Sequence, residues 1–245
     1  MFIYYMDAFL CILIECDNTK SLGKSCERDL FNIYTQLIMN KTEPNNIYIL
    51  TNNTPFFIQK NISTNLYNNN VSNLDNILKN NKNFSSFYFH ISGHGYLGND
   101  IRHIEITNRC EQIVLSSGIL TDYQFNDLLI KYIDRKSIIR ISVDTCHSGT
   151  FSNFCYKLTD EYTHKQVTKK EPYFQDAYSI SACNDNELDS CDIGKVGFGG
   201  SLTVHLLDDN NFNEFIFGDK IKVKNNLCKI LKLLRQEPIL LVDMI

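Results

Sequence analysis

The chain has 245 residues, 43% of them hydrophobic and 21% charged, with a formal net charge of −4. That length supplies one sizeable core or two small ones, and the negative charge argues against a general nucleic-acid binder. Nine cysteines, an odd number without regular spacing, exclude a complete intramolecular disulfide framework and point to reduced, mostly buried thiols in a cytoplasmic protein.

Met1 to Ile14 is apolar, but it has no basic leader, carries Asp7, lacks a small-residue cleavage site and is too short to span a membrane. It reads instead as leading into a first core strand near Phe9 to Cys16, and no membrane association is expected. A turn-rich loop, Asp17 to Gly23, follows. Ser25 then caps a helix from about Cys26 to Ile38, with Leu30, Ile33, Tyr34, Leu37 and Ile38 at helical spacing. Ile47 to Leu50 is a short second strand. Phe56 to Asn70 is Asn-rich and ambiguous. Val71 to Leu78 forms a helix, and Phe87 to Ile91 a third strand.

Ile101 to Leu115 alternates weakly and reads as a small hairpin, after which Thr121 caps a helix with Phe125, Leu128, Leu129 and Tyr132 on its apolar face. Ile138, Ile139, Ile141 and Val143 mark a fourth, buried strand. Ser152 to Asp176 is polar, contains Lys157, Lys165, Lys169 and Lys170, follows no period and reads as a long loop. Ala177 to Cys183 is a fifth strand, Gly199 to Leu207 opens a helix after a Gly-rich turn, Asn225 to Leu234 is helical, and Ile239 to Val242 is a last edge strand. Strands alternating with helices predict an α/β fold, a mostly parallel sheet with helices on both faces, in one domain.

Two strands end in chemistry. Phe87 to Ser92 runs into Gly93-His94-Gly95, and Ile138 to Val143 runs into Asp144-Thr145-Cys146-His147-Ser148-Gly149. Parallel strands that end this way would set an imidazole beside a thiol at the carboxyl edge of the sheet, where open α/β sheets hold their ligands. That is the arrangement of a base and a nucleophile. Gly93 to Gly98 also satisfies G-x-G-x-x-G, but a polar turn follows where a dinucleotide site needs a helix. Cys183, Cys191 and His205, or Cys146 and His147, lack zinc-ligand spacing.

These residues carry a resemblance. Ile91-Ser-Gly-His-Gly95 and Asp144-Thr-Cys-His-Ser-Gly149 resemble the (Y/H)-S-G-H-G and D-S-C-H-S-G motifs of metacaspases, caspase-fold cysteine peptidases of the clan of caspases, paracaspases and legumains. Leu22 to Asp29 resembles L-x-G-C-x-N-D, Gly118 to Asp122 resembles G-x-I-x-D-D, Ser179 to Asn184 resembles S-I-S-G-C-K, and Gln236-Glu-Pro238 resembles Q-x-P. The Q-A-C-x-G pentapeptide of caspases is absent, although His94 and Cys146 are separated as caspase-type residues are, by roughly 50 positions.

The resemblance implies a three-layer caspase-like fold over residues 1–245, with a large-subunit-like region to about 151, the lysine-containing loop to about 176 and a small-subunit-like region beyond. It implies a Cys146–His94 dyad acting through a thioester, with backbone N–H groups of Gly95 and Cys146 as the oxyanion site and His147 as supporting structure. It implies an S1 pocket of Cys26, Asp29, Ser92 and Asp144, whose two carboxylates suit Arg or Lys at P1 of a protein or peptide substrate. Many members require calcium. Here Asp122 matches one ligand, but Tyr123 and Asn153 stand where others are acidic, so no cofactor is expected to be required. Self-cleavage would fall at Lys169 or Lys170, and the expected state is a monomer. The alternative is a catalytically silent caspase-like binding or regulatory module.

Overall fold

In Ile138 to Thr145, Ile139, Ile141 and Val143 alternate with Arg140, Ser142 and Asp144; in Ser86 to Gly93, Phe87, Phe89 and Ile91 alternate with Tyr88, His90 and Ser92. Such strands turn one set of side chains to each face of a sheet. The computed structural model of the chain pairs the two strands in parallel and in phase, Phe89 beside Ile141 and His90 beside Ser142. Apolar side chains therefore line one face, and a buried polar row lines the other. The structure describes residues 9–16, 25–63, 65–103, 106, 108–158, 164–183, 191–194, 197–208, 211–233 and 239–243.

In chain order the first half comprises β1 (Phe9–Cys16), α1 (Ser25–Met39), β2 (Ile47–Leu50), α2 (Thr54–Gln59), β3 (Leu66–Tyr67), α3 (Val71–Asn80), β4 (Ser86–Gly93), β5 (Gly95–Asn99), β6 (Arg109–Leu115), β7 (Gly118–Thr121) and α4 (Asp122–Tyr132). The second half comprises β8 (Ile138–Thr145), β9 (Tyr156–Leu158), β10 (His164–Gln166), β11 (Asp176–Ser181), β12 (Cys191–Gly194), β13 (Gly197–Gly200), α5 (Ser201–Leu207), α6 (Asn211–Phe217), α7 (Lys220–Leu233) and β14 (Ile239–Asp243). The main sheet runs β10-β9-β14-β11-β8-β4-β1-β2-β3. From β11 to β3 every pairing is parallel, and β14, β9 and β10 extend the sheet antiparallel.

Leu30, Ile33 and Leu37 of α1, with apolar residues of α5, α6 and α7, pack on Leu13, Tyr88 and Tyr178. Leu74 and Leu78 of α3, with Phe125 and Leu129 of α4, pack on Ile12, Phe89 and Ile141. This is the three-layer α/β architecture that the alternation of elements implies. No helix among the described residues is long and apolar enough to cross a membrane.

Two local expectations are corrected, and three further stretches resolve beyond what the pattern implies. The chain after His94 re-extends at once as β5 and pairs with β6, Gly95 opposite Ile113, and the expected polar turn follows at Ile101 and Arg102. The region from 152 to 176 is not an unstructured loop. It holds β9 and β10, and β9 pairs with β14, so β14 is an interior strand and not the edge of the sheet. Phe212, Phe215 and Ile216, at helical spacing and buried, make α6, which was not foreseen. The ambiguous stretch after Phe56 resolves into α2, with Pro55 in its first turn, and the two-residue β3. The capping expectation at Thr121 holds in full: Thr121 accepts from the Gln124 backbone, and Gln124 returns the bond.

The buried polar row begins at Arg140, one of the most deeply buried large side chains. Its guanidinium bonds Asp176 Oδ1 at 2.8 Å and the carbonyls of Phe215 and Ile139, and lies over the Tyr178 ring. Removing one partner of such a pair strands the other charge. Asp176→Ala should lower stability by about 3 kcal/mol, the low end of such losses because Asp176 remains 17% exposed. The readout is a lower urea midpoint with an unchanged slope; an unmoved midpoint would show that the carbonyls alone satisfy Arg140.

Candidate active site

The β4–β8 ladder runs to its last pair, Gly93 beside Thr145. The next residues on the two strands are His94 and Cys146, so they leave the sheet at neighbouring points of its carboxyl edge. Two glycines make the crossing possible. Gly93 sits at φ +146°, and a Cβ there would lie 2.6 Å from the Cys16 carbonyl group. A Cβ on Gly95 would lie 1.9 Å from the Cys146 carbonyl oxygen, so only hydrogen fits between the two loops. The His94 N–H donates to the Cys16 carbonyl at 2.9 Å, tying the histidine loop to β1 as well. After Cys146 the chain turns sharply through His147, at φ +52°. Beneath the turn, the Cys183 thiol reaches the Thr145 carbonyl. Cys146 and His94 are half-buried, whereas Cys11, Cys16, Cys26, Cys110, Cys155 and Cys183 are buried.

The four residues expected at S1 are all buried, and the structure sets Asp29, Ser92 and Asp144 beside one another. Ser92 Oγ donates to Asp29 Oδ2 at 2.8 Å, across from Asp144, its register partner on β8. The Gly200 N–H donates to both Asp29 oxygens at 3.2 Å. Asp144 Oδ2 accepts from the Thr203 N–H at 2.6 Å and from the Thr203 hydroxyl, while Asp144 Oδ1 has no partner among the described residues. Burial, with the neighbouring Asp144 carboxylate adding to it, pushes the Asp29 carboxyl well above the usual carboxylate range. Cys26 lies one helical turn before Asp29 on α1, in contact with Ser25. Sequence reasoning missed Gly200 and Thr203. The turn and helix that bear them were read only as a helix start, although a Gly immediately before a helix leaves its N–H free to bond a remote carboxylate.

Asp122 is fully buried. Its Oδ1 accepts from the Tyr123 N–H at 2.5 Å and from the Cys110 thiol at 3.1 Å. Burial raises its carboxyl, and Glu111, a residue that sequence reasoning did not single out, hydrogen-bonds to it. Asp122 Oδ2 and Asn153 Oδ1 have no partner among the described residues. Tyr123, in place of a second acid, stacks under the Arg102 guanidinium. Calcium takes six to eight oxygens, several of them anionic. Among the described residues no group of three or more His, Cys, Asp or Glu is placed to hold a metal.

The Lys169 and Lys170 turn is pinned. Lys169 Nζ donates to the His103 carbonyl at 3.0 Å, Lys170 Nζ to Asn126 Oδ1 at 3.1 Å, and Gln166 Nε2 to the Lys170 carbonyl.

The family model described as metacaspase, peptidase C14 domain, matches residues 9–155. The chain belongs to the metacaspase family. The matched span runs from β1 past Cys146 and includes His94, Asp29 and Asp144. Metacaspase-1 of Plasmodium falciparum (isolate 3D7) is 28% identical over 146 residues, 56% of this chain, but the match spans only 24% of that protein's length. Among solved structures, protein GSU0716 from Geobacter sulfurreducens aligns with a TM-score of 0.57 at 17% identity, over 94% of this chain and 90% of its own. Caspase-1 from Spodoptera frugiperda aligns with a TM-score of 0.50 at 10% identity, over 97% and 86%. These two likenesses bear on the fold, which is caspase-like and extends over the metacaspase chain beyond the matched span.

The Gly95 contact gives the first test of the site. Gly95→Ala must push the His94 and Cys146 loops apart by more than 1 Å, and misplacement on that scale costs about 100-fold in rate. The expected loss is of that order in kcat/KM for peptide hydrolysis, with the far-ultraviolet circular dichroism unchanged; full activity would mean that the two loops do not act together.

Proposed function

We propose that this metacaspase domain is a cysteine endopeptidase that cleaves protein or peptide substrates after Arg or Lys. The observation that carries the reading is the in-phase β4–β8 ladder, which delivers His94 and Cys146 together at the sheet edge with Ser92 and Asp144 two residues behind them. In the proposed reaction Cys146 gives its thiol proton to His94 as the sulfur attacks the scissile carbonyl carbon, and the backbone N–H groups of Cys146 and Gly95 receive the oxyanion. The C–N bond then breaks as His94 gives its proton to the leaving amine. Water, losing a proton to His94, attacks the resulting thioester, and the C–S bond breaks as the Cys146 sulfur takes that proton back from His94, releasing the acid and the free thiol.

The P1 preference rests on charge. A buried pair of carboxylates, one with an oxygen lacking a partner, favours a cation that brings both charge and donors, and repels an acidic P1 side chain. Arg, with its planar fork, can bond both carboxylates at once. The proposed reaction uses no metal: Tyr123 and Asn153 stand where further acids would, which leaves Asp122 and the neighbouring Glu111 as the anionic groups there, fewer than calcium usually takes. The enzyme acts as a monomer on this reading.

The test is hydrolysis of fluorogenic peptides with Arg, Lys or Asp at P1, by the wild type and by Cys146→Ala, each with calcium and with chelator. Cleavage after Arg or Lys, abolished in Cys146→Ala and indifferent to chelator, is expected. Cleavage after Asp would overturn the pocket, and cleavage only with calcium would overturn the metal argument. No cleavage, with Cys146 inert to thiol reagents, would leave a silent caspase-like module.

Self-processing at Lys169 or Lys170 forms part of the proposal. Both ammonium groups and the Lys170 carbonyl are engaged, so local opening must precede cleavage and processing should be slow beside peptide turnover. Intact mass over hours should show two fragments divided after one of these lysines, in the wild type and not in Cys146→Ala. A single unchanged mass from an active preparation would remove self-processing.

A further inference from the structure

The polar row behind Asp144 has no part in the bond-breaking step, yet it is continuous. Thr203 of α5, His90 of β4, Ser142 of β8 and Tyr88 of β4 are all buried. Thr203 Oγ1 lies 3.4 Å from His90 Nε2; His90 Nδ1 lies 2.8 Å from Ser142 Oγ; and Ser142 Oγ lies 2.8 Å from the Tyr88 hydroxyl.

The proton positions follow from counting donors. A carboxylate only accepts, so the single Thr203 hydroxyl proton goes to Asp144 Oδ2. Thr203 Oγ1 then accepts from His90, which requires the proton on Nε2. His90 Nδ1 is therefore an acceptor and takes the Ser142 proton, and Ser142 Oγ accepts from the Tyr88 hydroxyl. Every donor in the row points toward Asp144. The row is also uncharged: burial lowers His90 to about 4 and raises the Tyr88 phenol. A neutral row of aligned dipoles stabilises a carboxylate without cancelling its charge, as a lysine or arginine in the same place would. No cation among the described residues pairs with Asp144.

We propose that Thr203, backed by His90, is a positioning residue for basic P1 side chains: it fixes Asp144 by Oδ2 with two donors and so reserves Oδ1, and the undiminished negative charge, for the substrate. This rests on the Arg/Lys reading of the pocket. It also assigns α5 a task in specificity, since the Gly200 N–H three residues earlier holds Asp29. One short helix start thus sets both carboxylates.

Thr203→Val keeps the shape and the backbone bond and deletes the hydroxyl; Thr203→Ser keeps the hydroxyl. The measurement is kcat and KM for matched peptides with Arg and with a neutral P1 residue, the inhibition constant of benzamidine as a P1 cation mimic, and the rate of Cys146 alkylation by neutral iodoacetamide. Thr203→Val should raise KM for the Arg peptide and the benzamidine constant about ten-fold together, with kcat, the neutral-P1 peptide and alkylation little changed, and Thr203→Ser should restore both. Wild-type constants in Thr203→Val overturn the proposal, as does a loss shared equally by Arg and neutral peptides, which would mark a structural role. If Thr203→Val does not fold, Thr203→Ser and Thr203→Ala supply the same comparison, and equal KM values for the two overturn it. A wild type that shows no preference for Arg or Lys overturns the pocket reading itself and this assignment with it, and is recognised before any variant is compared.

Discussion

The register of β4 against β8 is the constraint on which the rest depends. A shift of one residue would turn Tyr88, His90 and Ser92 into the apolar layer of α3 and α4, and would bury Phe87, Phe89 and Ile91 against Asp29 and Thr203. Both errors place unsatisfied polar groups in a dry interior, each at a cost of about 1–3 kcal/mol. The polar row therefore holds the ladder in phase as firmly as the apolar row does. The ladder in phase is also what delivers His94 and Cys146 to the same edge. One register serves both the packing of the sheet and the placement of the site.

That polar row also accounts for how the chain keeps charge inside. Arg140 at one end is paired and hydrogen-bonded, as a buried guanidinium must be. Asp29 and Asp144 at the other end are held by neutral donors, Ser92, Gly200 and Thr203. The two ends differ in what they leave available. A salt-bridged charge is spent within the fold, whereas a carboxylate held by backbone and hydroxyl donors still attracts a cation. The raised Asp29 carboxyl is the expected response of two carboxylates in one low-dielectric site.

Much of this is legible in the amino-acid sequence, because the two strands that carry the site are bounded by their own chemistry. Gly93-His94-Gly95 and Cys146 to Gly149 declare strand ends, and Thr121 declares a helix start. What escaped has physical reasons. β5 follows β4 after a single residue, and Gly-rich sequence reads as turn even where it pairs as strand. β9 and β10 are three residues each, too short for periodicity to register, and they gain their order from β14 far along the chain. Thr203 and Gly200 bond carboxylates 59 and 171 residues away, distances over which no local pattern operates. Glu111 lies on a strand where an acid reads as one solvent-facing position and becomes notable only beside Asp122.

The placement of those remote donors bears on the connecting segment between the two halves of the chain. Asp29, Ser92 and Asp144 precede the lysine-containing segment and Gly200 and Thr203 follow it, so the proposed pocket is closed only when both halves are docked. The docking does not depend on continuity of the chain through Lys169 and Lys170. β8 and β11 share a six-residue parallel ladder, β11 is covered in turn by β14, and β9, from the near side of those lysines, pairs with β14 from the far side. Arg140 adds a buried link from β8 to Asp176 and to the Phe215 carbonyl. A cut at either lysine would leave these pairings in place while freeing the turn that now ties itself to Asn126 on α4. Cleavage there would act on the α4 side, next to Asp122 and the residues that follow the Cys146 loop, and leave the carboxylate pair as it stands.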